Sequence, residues 1–171
     1  MIKKVIGVIL VFILIAAIGV ILRDTVFAPK KIHIHAGFHV YKDNKLVDFS
    51  DAKYMHAEPC TIHDDLKRVD EQGEKAHLHD FVGDVVHVHR VGATWGDLFK
   101  NIKYSVDESK TLAYVNSKEI SHIFSYQIHP YDSLVLFIGK HDAVKQALSQ
   151  AVSKDYIQKI EKQSESCGSG S

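Results

Sequence analysis

The chain has 171 residues, and 21 Lys and Arg balance 21 Asp and Glu, so its formal net charge is zero with histidine neutral. That length fits one domain, or a small domain with an anchor; the balance excludes a nucleic-acid binder that relies on bulk positive charge and an acidic disordered chain. Histidine is the outlier, at 12 residues.

In chain order, the first element is an apolar run. Val5 to Leu22 is 18 residues without a charge, or about 27 Å of helix, enough for a bilayer core. A backbone in lipid must satisfy its own hydrogen bonds, so the run reads as a helix. It is longer than the apolar stretch of a cleaved signal peptide, and Pro29 follows the nearest cleavage-like triplet, Val26-Phe27-Ala28. Residues 1–23 are therefore read as a transmembrane signal anchor, with residues 5–22 in the bilayer. Lys3 and Lys4 place the N-terminus in the cytoplasm and the rest outside the cell membrane. Residues 24–31 form a linker.

Residues 31–41, KIHIHAGFHVY, alternate strictly. Period two predicts a half-buried strand, with Ile34, Ala36, Phe38 and Val40 on one face and His33, His35 and His39 on the other. Lys42 to Lys45 is a polar turn. Residues 48–74 read as an insertion loop. Residues 75–91, KAHLHDFVGDVVHVHRV, predict two strands about a turn between Asp80 and Asp84. Thr94 is the expected N-cap of a helix over residues 95–102, with Asp97 in its first turn. Thr111 to Val115 reads as a strand, Asn116-Ser117 as a tight turn, and Ser133 to Ile138 as a central strand buried on both faces. Asp142 is expected to cap a helix reaching Ala151, and Ser153 or Asp155 to start another ending near Lys162. Residues 164–171 are expected to form a disordered tail.

This order implies an α+β fold. It resembles a β-grasp (ubiquitin-like) mixed sheet with one packed helix over residues 32–140, preceded by the anchor and followed by a C-terminal helical segment over residues 141–163.

Three H-x-H pairs occur, His33/His35, His77/His79 and His87/His89. On a strand, residues i and i+2 share a face, so each pair can present two imidazoles to one ion. Parity then decides whether the last two pairs meet. A three-residue loop, Phe81-Val82-Gly83, with Gly83 at positive φ, pairs His77 with His87 and puts four histidines on one face. With the first strand alongside, all six form an exposed patch opposite the helix. Neutral imidazole suits zinc or copper, and Asp80, Glu58 and Asp84 are candidate carboxylate partners of the rings. His56, His63, His122, His129 and His141 read as isolated. The competing readings are a patch of solvated histidines, a pH sensor and a metal-free envelope interaction module.

Cys60 and Cys167 allow a disulfide outside the cell, which spacing leaves open. A copper(I) role for Cys60 with Met55 is a further option. G-x-S-x-G, H-E-x-x-H and Walker A are absent, so no catalytic residue is assigned. A three-histidine zinc with an open position would be the route to hydrolysis.

The strings His33-Ile-His-Ala-Gly-Phe, Val47-Asp-Phe-Ser, His77-Leu-His-Asp, Gly83-Asp-Val-Val-His-Val-His and Gly92-Ala-Thr-Trp-Gly-Asp-Leu-Phe occur together. As a set they resemble a family of small membrane-anchored, histidine-rich proteins of little-studied bacteria and archaea. The resemblance spans about residues 32 to 140 and implies shared topology. Some distant members carry a disulfide-isomerase label, which would imply thiol chemistry; this chain lacks the C-x-x-C that such chemistry uses.

Overall fold

Three short reversals let the chain build one mixed sheet. The computed structural model describes residues 31–56 and 71–164. The expected anchor, most of the insertion loop and the tail beyond Ser164 lie outside those residues, as do Glu58, Cys60, His63 and Cys167. Among the described residues no helix is long and apolar enough to cross a membrane.

Strand β1 (Lys31–Lys42) turns at Asp43 and Asn44 into β2 (Lys45–Leu46). Both turn residues have positive φ, which Asn and Asp tolerate better than most residues. Then follow β3 (Ala76–His77), β4 (Val85–Arg90), helix α1 (Trp95–Asn101), β5 (Thr111–Val115), β6 (Lys118–Glu119), β7 (Ser133–Ile138), α2 (Val144–Ser149) and α3 (Lys154–Ser164). The strand order is β3-β4-β1-β7-β5-β6, with β2 also on β1. β1 is antiparallel to β4 and parallel to β7, and β5 is antiparallel to β7. The fold is α+β with a mixed sheet.

Alternation in β1 and β4 sends their apolar side chains to α1. Trp95, Leu98, Phe99 and Ile102 are buried against Ala36, Phe38, Val40, Val86, Val88, Leu134 and Leu136. The helix starts where the sequence indicated. Thr94 Oγ1 accepts the Asp97 N–H, and Asp97 accepts the Thr94 N–H, a reciprocal cap. Asp142 does not cap α2, whose N-cap is Ala143. Asp142 instead exchanges two hydrogen bonds with the Asn44 side chain, tying α2's approach to the first hairpin. Ser153 does start α3, accepting the Tyr156 N–H.

The opposite face is not the exposed one that alternation suggested. α2 covers one half, through Ala147 over Val135 and Phe137. α3 covers another, through Ile157 and Ile160 with Val152 and Val85. Gly37 permits this approach: a Cβ there would lie 2.5 Å from Val152 Cβ. The result is three layers, with the histidine-bearing face partly roofed.

Candidate metal centre

Register puts the histidines in a row across three strands. His35 of β1 lies opposite His87 of β4, and His87 lies opposite His77 of β3. The parity argument holds, but the expected device does not. Positive φ falls on Asp80 and Phe81, and the Val82 N–H closes the turn onto His79 O. Gly83 serves another need: a Cβ there would sit 2.5 Å from the Ser50 backbone nitrogen. His79 therefore leaves β3 at the turn and folds its ring over His87, at 3.5 Å between centroids.

The register of β1 on β4 shifts between Lys31 and Ile34. Such a bulge re-aims a side chain. His33 lies within it, exposed, with its ring 4.9 Å from that of His89 and 4.8 Å from that of His35. His35 and His87 rings are 4.2 Å apart, and His77 lies 5.0 Å from His89. All six expected histidines thus share one contiguous cluster. His56 joins it, stacked on His77 at 4.8 Å, so it is not isolated. His39 stands apart beside Asp84, whose carboxylate accepts from the Tyr156 hydroxyl and not from the cluster.

One set is tight enough for a single ion. One ring nitrogen from each of His33, His87 and His89 falls within 4.8 Å of the others. His35, His77 and His79 surround that set without belonging to it. Tetrahedral bonds of about 2.0–2.1 Å to zinc would draw the three nitrogens closer by up to roughly 1.5 Å, a movement that the exposed His33 can make.

Burial favours the neutral form of the inner rings, His35, His77, His87 and His89. His35 and His87 are each 1% exposed and His77 4%. Burial is the largest cause of a lowered pKa at His35 (to about 4), at His77 (to about 3), and at His89. His87 is pushed far down by burial, then by neighbouring His79, His35, His77 and His33. Neutral imidazole is the form that binds a metal.

Outer partners fix the rings. His77 Nδ1 lies 3.0 Å from the Gly73 carbonyl oxygen, to which it donates, and His79 Nδ1 lies 2.6 Å from Asp80. His89 Nδ1 is 3.5 Å from Glu74, and Glu74 in turn faces Arg90, which is also bonded to Glu71. His35 Nδ1 is 3.4 Å from Glu161. In each case the far nitrogen, Nε2, is the one that keeps its lone pair. His87 Nδ1 and His89 Nε2 are buried without a hydrogen-bond partner among the described residues. Two orphaned imidazole nitrogens inside the three-histidine set fit a cation. The alternation of β1 and β4 made the rings legible. Glu74, Glu161 and the Gly73 carbonyl carried no such signal, being remote in sequence or part of the backbone.

Comparison with protein-family models, with curated proteins and with solved structures finds no match to the chain.

Proposed function

We propose that the protein is a membrane-anchored, extracytoplasmic domain that binds a transition-metal ion, zinc or copper, through its H-x-H pairs. His33, His87 and His89 form the tight set that holds the ion, with His35, His77 and His79 clustered against it. The observation that carries this reading is the convergence of three ring nitrogens within 4.8 Å, two of the three rings presenting a buried nitrogen with no hydrogen-bond partner. All-nitrogen donors favour zinc or copper(II) over calcium or magnesium. The anchor rests on the apolar run from Val5 to Leu22 and the lysines before it. The strand order and the parallel β1–β7 pair, with α1 crossing one face, support assignment of the sheet to the β-grasp class.

Calorimetric titration of the purified full chain tests the metal reading. Zinc or copper(II) binds with micromolar affinity or better, and the double variant His87→Ala/His89→Ala loses that binding while keeping its circular dichroism. Binding equal to that of the parent in the double variant overturns the proposal.

A further inference from the structure

We infer that His35 is a fourth ligand of this ion and that Glu161, reaching over from α3, is the residue that positions it. The inference rests on the metal reading above and deepens it.

His35 is central in the cluster and buried, with its ring 4.8 Å from His33 and 4.2 Å from His87, two of the three ligands already assigned. Its Nδ1 lies 3.4 Å from Glu161 Oε1. A carboxylate only accepts, so the neutral ring carries its proton on Nδ1 and its lone pair on Nε2. This is the carboxylate–histidine arrangement that orients metal ligands and raises their basicity.

Glu161 is itself held by Tyr131, which is in turn tied to the His35 backbone. Tyr131 donates its hydroxyl to Glu161 Oε2 at 2.9 Å, and the Tyr131 N–H donates to the His35 carbonyl at 2.8 Å. Tyrosine, carboxylate and histidine thus close a ring of contacts about His35. Tyr131 adopts φ of +63° to do so, an uncommon state for a bulky residue of the kind that clusters at functional sites. The height of α3 above the strand is set nearby, where Gly37 lies beneath Val152 and Ile157. The helix therefore delivers a carboxylate to one face of the site and excludes solvent there. Four imidazoles fill a tetrahedral ion, so the centre holds or hands over its metal and lacks the open position that hydrolysis requires.

Cobalt(II), whose visible spectrum reports coordination number, is the probe, with the full chain. The parent shows an intense four-coordinate spectrum, and His35→Ala shows a changed one. Glu161→Ala weakens cobalt and zinc affinity 10–100-fold, the usual span for an outer partner. Glu161→Gln, which keeps an acceptor for the histidine but not the charge, falls between. In the His35→Ala background, Glu161→Ala weakens affinity no further, because its effect passes through the ring. Superimposable spectra for parent and His35→Ala, or an equal effect of Glu161→Ala in both backgrounds, would overturn the inference while leaving the three-histidine site intact. No metal uptake by the parent overturns both readings.

Discussion

His87 is the hub of the cluster, touching His35 and His79 and flanked by His77 and His33. Its burial makes the metal-free protein sensitive to acid. In the unfolded chain these rings titrate near 6.5. In the fold, burial holds His35 down to about 4 and His77 to about 3, and His87 lower still. Between pH 6.5 and pH 4 the unfolded chain therefore binds more protons than the folded one. Stability is full above the unfolded value and falls as pH drops through that window, by up to about 1.4 kcal/mol per unit for each such ring. Urea midpoints of the metal-free chain are expected to fall between pH 7.5 and pH 5.0; equal midpoints would show that the rings are not desolvated. Alternation and parity made the six rings legible from sequence. The burial of His35, His77 and His87 was not, because a strand pattern separates two faces without saying what covers the polar one.

Elements were easiest to read where local chemistry acts alone. The cap at Thr94, the strands over residues 111–115 and 133–138 and the turn at Asn116-Ser117 depend on neighbours in sequence. Both turn residues there take positive φ, and the strands match the expected bounds. The hairpin between β3 and β4 was read with the right pairing and the wrong turn. Gly83 is required by the Phe49–Ser50 backbone lying across it, a tertiary approach that no local pattern reveals. Gly37 is the same case, since its neighbours are Val152, just ahead of α3, and Ile157 within it. Gly37→Ala forces a Cβ against Val152 and is expected to cost about 1–3 kcal/mol by overpacking. Adding Val152→Ala should return part of that loss, as contacting residues do not add independently. Denaturation of the two single variants and the pair measures the coupling. Strict additivity would mean that α3 does not rest on Gly37.

At the scale of the molecule, the sheet separates two tasks. One face builds a continuous apolar core with α1; the other carries the imidazoles beneath α3. Among the described residues the paired histidines of β1, β3 and β4 lie on the face away from α1, so removal of those rings leaves the main packing in place. If the apolar run anchors the chain, the full-length protein sediments with membranes after carbonate washing, and removal of residues 1–23 moves it to the supernatant. Recovery of both forms in the supernatant would refute the anchor. The parallel pairing of β1 with β7 adds a mechanical property. Six residue pairs, from Gly37 opposite Ser133 to Lys42 opposite Ile138, run side by side, with evenly spaced hydrogen bonds. Were the chain held at Lys31 and loaded at Ile138, β1 and β7 would be drawn in opposite directions along their axes. Those pairs then bear tension together, in shear, instead of opening one after another like a zip. If the chain is anchored ahead of Lys31, a pull on its far end meets the sheet in the direction in which these six pairs are loaded together.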